Sequence, residues 1–121
     1  MTKAQAINSF WNRFGIPAYE MNTVPVDAQL PYITYSFVTG SAGEDVSMDA
    51  SVWYRSTSWT EINAKADEIG AHIGLGGTVL RCDGGAIWIR RGQPFAQSMS
   101  DPTDDMIRRK YINITAEYIT N

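Results

Sequence analysis

The residues able to do chemistry are few and scattered. His72 is the only histidine, so a zinc site built from several imidazoles and a paired-imidazole mechanism are both excluded. A lone imidazole acting as general base needs a partner and a pocket, and His72 falls beside the Ile69/Ile73 stripe of its helix, a position suited to packing at the core boundary. No serine stands in a Gly-x-Ser-x-Gly elbow, which leaves serine-hydrolase chemistry without support. Asp101, Asp104 and Asp105 form the one carboxylate cluster, spaced closely enough to hold a hard divalent cation if the loop folds around it. A nuclease-like centre would need further carboxylates from other strands, such as Asp49 or Glu117. Asp-Pro-Thr-Asp-Asp is also an ordinary turn opening a new element. Gly74, Gly76 and Gly77 leave a helix and enter a strand, the reverse of a phosphate cradle, where glycines lead into a helix N-terminus. Cys82, the single cysteine, excludes an internal disulfide or a cysteine metal cluster and reads as a buried strand thiol from a reducing compartment.

The remaining charged groups suggest association rather than catalysis. Arg90-Arg91 and Arg108-Arg109-Lys110 fall at the end of one strand and the start of the next, which places them side by side. A nucleic-acid groove would add exposed aromatics and a positive field, but 10 basic residues stand against 13 acidic ones, a formal charge of −3. One reading is a solvated sheet end; the other is complementarity with the neighbouring acidic loop, through which copies of the chain associate head to tail. The candidate subunit or partner interface is therefore Arg90, Arg91, Arg108 and Arg109, with Gln93, Phe95, Met99, Asp101, Asp104 and Asp105 from the segment 93–105. No catalytic, cofactor-binding or metal-ligating residue is assigned.

Hydrophobic periodicity defines the elements that carry these groups. Ile7, Phe10, Trp11 and Phe14 recur at helical spacing, predicting a helix from near Thr2 to Gly15. A short extended piece follows over 16–19. Residues 31–39 alternate, with Ile33, Tyr35 and Phe37 on one side, and Val46, Met48, Ala50, Val52 and Tyr54 alternate after a turn, so an antiparallel pair is expected. Ser47, Asp49 and Ser51 occupy the polar side of the second strand. Ser58 and Glu61 have capping-box spacing ahead of a second helix with the stripe Ile62, Ala66, Ile69 and Ile73, ended by Gly74. A hairpin over 80–91 comes next, then the polar segment 93–105, expected to be irregular or mobile in an isolated subunit because of its length and its Pro94, then a strand over 106–120. The predicted core is Phe10, Trp11, Phe14, Ile33, Phe37, Val52, Ile62, Ile69, Ile73, Ile112 and Ile114.

The order of elements predicts an α+β class: an antiparallel or mixed β-sheet with two α-helices on one face, a single two-layer domain over residues 1–121. The length suits one core and not two. The N-terminus enters an amphipathic pattern directly, with no apolar leader or bilayer-length run, so a soluble, unsecreted protein without membrane association is expected.

Several segments resemble one family. Leu30-Pro31-Tyr32-Ile33-Thr34-Tyr35, Val52-Trp53-Tyr54-Arg55-Ser56-Thr57-Ser58-Trp59, Ile87-Trp88-Ile89-Arg90-Arg91-Gly92-Gln93-Pro94-Phe95-Ala96-Gln97, Asp101-Pro102-Thr103-Asp104-Asp105 and Arg108-Arg109-Lys110-Tyr111 are similar to the tail terminator, or tail completion, proteins of long-tailed bacteriophages and prophages. The resemblance implies an α+β subunit that assembles, as a homo-oligomer and as a hexameric ring, on the head-proximal end of the tail tube. The ring would stop polymerisation of the major tail tube protein and offer a docking surface to the head-tail connector or head-completion protein, with DNA only passing through its lumen. It also implies a non-enzymatic virion component, made in the cytoplasm of the host bacterium, with no cofactor. Another phage neck or head-completion protein is an alternative, and a small metal-dependent enzyme using Asp101, Asp104 and Asp105 is a second.

Overall fold

A computed structural model describes residues 1–120 of the chain. Helix α1 (Lys3–Trp11) runs into a 3-10 turn (Asn12–Phe14), followed by β1 (Ala18–Glu20), β2 (Tyr32–Tyr35), β3 (Asp45–Arg55), α2 (Thr60–Ile73), β4 (Thr78–Cys82), β5 (Gly85–Ser100) and β6 (Ile107–Ile119). The strands form one sheet in the order β1-β2-β3-β6-β5-β4. Only the β1–β2 pair is parallel, and the other four pairs are antiparallel. The class is α+β, with a mixed sheet and both helices on one face.

Local chemistry explains where the helices begin. At α1 the Thr2 hydroxyl accepts from the Gln5 N–H at 3.1 Å while the Gln5 side-chain oxygen accepts from the Thr2 N–H at 2.8 Å, a reciprocal cap that satisfies two otherwise orphaned donors. The capping box expected at Ser58 and Glu61 does not form. Trp59 occupies the cap position of α2 without a side-chain hydrogen bond, because the Ser58 hydroxyl turns to Thr60, accepting from its N–H at 3.1 Å and donating to its Oγ1 at 2.9 Å. Gly74 ends α2 at φ 74°, a conformation that a side chain would strain.

The core lies between the helices and the alternate strand positions that face them. Phe10, Trp11 and Phe14 pack edge to face, with centroid separations of 4.8 Å for Phe10–Trp11 and 5.7 Å for Phe10–Phe14. Every predicted core residue is buried except Phe37, which is only half-buried because β2 ends at Tyr35 instead of extending to residue 39. Cys82, read as a buried thiol, is also only half-buried, at the outer end of edge strand β4. Tyr118 is absent from the predicted core although it continues the alternation of Ile112, Ile114 and Ala116: it is fully buried, and its hydroxyl donates to the Val38 carbonyl at 2.6 Å.

Burial pushes the Tyr118 phenol up to about 12. Since its unfolded value is near 10, the folded chain keeps a proton that the unfolded chain releases between those values. The associated stability is complete below pH 10 and is lost as pH rises through about 12, a loss of roughly 2–3 kcal/mol. Denaturant titrations across that alkaline range should show the decline, and Tyr118→Phe should flatten it. An unchanged slope in the variant would mean that another group governs alkaline unfolding.

The largest departure from expectation concerns residues 93–100, which are not an irregular loop. They continue β5 and pair with β6 after an irregularity in which Arg91 faces Ile114 and Ala96 faces Ile112. Pro94 contributes to that expectation, and with Gly92 it explains the outcome. At Gly92 a Cβ would stand 2.9 Å from the Asn113 Cβ, so the strands approach where no side chain fits, and Pro94 offers no N–H to a ladder. The Asn113 side-chain amide donates to the Pro94 carbonyl at 3.0 Å. Turn-like residues therefore build a bulge inside a long strand, and the true connection is only the stretch 101–106. Hydrogen exchange should find alternate amides of 96–100 protected and those of 101–106 fast. Uniformly fast exchange across 93–105 would restore the loop.

Candidate functional site on the open face of the sheet

Strand period two decides which side chains reach the face that the helices leave uncovered. Asp49, Ser51 and Trp53 of β3 lie opposite Asn113, Tyr111 and Arg109 of β6, and all six point away from the buried positions Ala50, Val52, Ile112 and Ile114. The Arg109 guanidinium sits 4.8 Å from the Trp53 ring and 5.7 Å from the Tyr111 ring, and its Nε donates to the Ser51 hydroxyl at 3.0 Å. Ser51 is 4 % exposed, covered by this arrangement. The Trp53 indole N–H donates to Thr34 Oγ1 at 2.9 Å. Tyr111 donates its hydroxyl to Asp49 Oδ2 at 2.7 Å, and that bond, with burial next, raises the Tyr111 phenol above its ordinary value. Further along the same face, Arg90 stacks 4.3 Å over Trp88 and pairs with Asp45 at 2.6 Å.

The basic residues do not form the single cluster expected of neighbouring strand ends. Arg90 and Arg91 lie within β5 opposite Thr115 and Ile114, whereas Arg108 and Arg109 face Ser100 and Met99, six residues away along β6, roughly 20 Å at the strand rise. Alternation divides them again: Arg90 and Arg109 share the open face, while Arg91 and Arg108 lie toward α2. Arg91 lines a groove with Phe95, Lys110 and the α2 residues Asp67 and Ala71. Arg108 stacks 5.3 Å from Trp59 and donates to the Thr57 and Asp105 carbonyls.

The acidic segment is used by its own turn. Asp101 Oδ1 accepts from the Thr103 hydroxyl at 2.7 Å, the Thr103 N–H at 2.8 Å and the Asp104 N–H at 3.2 Å. Hydrogen bonds from Thr103 accordingly hold the Asp101 carboxyl below its ordinary value. Asp104 accepts from the Met106 N–H at 2.9 Å and pairs with Arg55 at 3.0 Å. Asp105 is exposed. Among the described residues no group of three His, Cys, Asp or Glu is gathered in a way that could hold a metal ion. Phe95 does not project as an apolar anchor, because its ring covers Gly70 of α2, where an added Cβ would lie 3.0 Å from it. Gln93 and Met99 are exposed. His72 lies 2.7 Å from an Arg13 nitrogen and packs edge-on against Phe14, and burial, followed by the Arg13 charge, lowers its pKa.

Sequence reasoning found Arg109 but not its surroundings. The available signal was the polar side of β3 and the alternation of Arg109, Tyr111 and Asn113; the missing information was that β3 pairs with β6, across more than fifty intervening residues. Among the described residues, no helix is long and apolar enough to cross a membrane. Set against models of known protein families and against curated proteins, the sequence matches none.

Proposed function

We propose that the chain is a structural subunit of a phage tail, a terminator that assembles as a hexameric ring on the head-proximal end of the tail tube, halts addition of the major tail tube protein and receives the head connector. The observation that carries this reading is the open sheet face, where Trp53, Tyr111 and Trp88 are each stacked by an arginine. Aromatic residues and arginine concentrate at the energetic centres of protein interfaces, and the stacked rings are fixed in advance, which lowers the ordering cost of association. The α+β class that the resemblance implies is the class of this fold. The commitment of Asp101 and Asp104 to turn and ion-pair contacts favours a structural role for the acidic segment over a metal-dependent reaction.

In this reading the protein acts in the virion, after synthesis in the host cytoplasm, as a non-enzymatic component without a cofactor. Arg91, Gln93 and Asp105 supply exposed polar and charged rim contacts, each exposed pair contributing roughly 0–1 kcal/mol, and Met99 adds an exposed apolar one. Native mass spectrometry of the purified chain should give a discrete closed oligomer. Trp53→Ala and Trp88→Ala, checked for folding by circular dichroism, should reduce it to smaller species. A wild-type chain that stays monomeric at every concentration, with or without tube protein, would contradict the ring.

A further inference from the structure

A cavity of about 230 Å³ opens on the helix-free face, lined by Met21, Thr34, Tyr35, Asp49, Ser51, Trp53 and Arg109. Arg109 is held there by three contacts, the Ser51 hydroxyl at its Nε and the rings of Trp53 and Tyr111. Among the described residues no carboxylate pairs with it, and its terminal nitrogens have no protein acceptor. A guanidinium locked in plane with both terminal amino groups free is a fork whose geometry matches the two oxygens of a carboxylate. Asp49 shares the cavity with one oxygen bound by Tyr111 and the other, Oδ1, without a protein donor among the described residues.

These two groups set the charge of an acceptable ligand. Arg109 alone would take any oxyanion, but the Asp49 carboxylate in the same small space repels a dianion more strongly than a monoanion. Its free oxygen also favours a ligand that carries an N–H or O–H donor. We propose that this cavity binds a ligand with a single carboxylate and a neighbouring hydrogen-bond donor, the chemistry of a zwitterionic amino acid, with Arg109 holding the carboxylate and Asp49 the donor. Ser51 and Trp53 are positioning residues that fix the orientation of the guanidinium. The carboxylate is either free in solution or presented by a second copy of the chain. The site shares Trp53, Tyr111 and Arg109 with the face proposed to associate in the ring, so binding of a small free ligand is read separately from oligomer size.

The test is an NMR titration that follows the Trp53 indole N–H and the Arg109 Nε–H at constant ionic strength, with glycine, acetate, phosphate and chloride as probes. Glycine should move both signals saturably and bind more tightly than acetate, while phosphate and chloride should do neither. Arg109→Lys keeps the charge but loses the fork and should weaken glycine binding at least tenfold. Ser51→Ala should weaken it several-fold, and Asp49→Asn should abolish the preference for glycine over acetate. A dilution series separates the two sources. Signals that move with protein concentration and are reversed by glycine identify a carboxylate on a second copy, whereas an equal glycine response at every concentration identifies a free ligand. A wild-type response in Arg109→Lys, tighter binding of phosphate than of glycine, or no saturable movement in either series would overturn the proposal.

Discussion

Phe10→Ala is expected to lower the unfolding free energy by about 3–5 kcal/mol, the range for removing a large aromatic ring from a closed core. Phe10 is fully buried and meets Trp11, Phe14 and His72, so its removal leaves a cavity walled by rings that cannot collapse without giving up their edge-to-face geometry. Ile69→Ala, from the stripe of α2 that packs against the same core, should cost about 2–5 kcal/mol. A small two-layer domain has roughly 5–15 kcal/mol in total, so either variant should unfold at a much lower denaturant midpoint, with its slope unchanged. A midpoint at the wild-type value would mean that the helix presents a different face to the sheet.

Gly85→Ala is the second large effect, from overcrowding rather than a cavity. A Cβ at Gly85 would lie 2.0 Å from the Ile119 carbonyl oxygen and 2.9 Å from the Thr120 Cβ. The obstacle is largely backbone, which cannot rotate aside, so the end of β5 must separate from β6. The cost should be about 2–3 kcal/mol, toward the upper part of the overpacking range. Gly76→Ala is the matched control, since nothing lies within 4 Å of its added Cβ and its φ is not left-handed; its change should stay within about 0.5 kcal/mol. Equal melting temperatures for the two variants would remove the close approach of β5 and β6 as the reason for a glycine at 85.

The elements that could be read from sequence are those whose own side chains carry the period. Ile7, Phe10, Trp11 and Phe14 define α1, and Ile112, Ile114, Ala116 and Tyr118 define the inner side of β6, because burial acts on each residue in turn. Residues 93–100 were not legible, because Gly92 and Pro94 have the same local chemistry in a loop and in a bulge. Only the pairing across to β6, with Asn113 reaching Pro94, distinguishes them. The arginines illustrate a different limit. Charge alone groups sequence neighbours such as Arg108 and Arg109, yet in a strand they point to opposite faces, so a linear cluster becomes two sites. The Arg109 cavity depended on the least legible feature, the β3–β6 register that brings Ser51 and Trp53 beneath a guanidinium from the far end of the chain.

In the proposed function this chain ends the growth of a tail tube. The direct measurement is electron microscopy of tube lengths when purified major tail tube protein polymerises with the chain absent, present, or carrying Trp53→Ala and Trp88→Ala. Short tubes of bounded length with a ring of extra density at one end are expected when the wild-type chain is present, and long tubes of uncontrolled length without it or with the variant. Length distributions that are the same in all three conditions, with no added density at the tube end, would contradict that function.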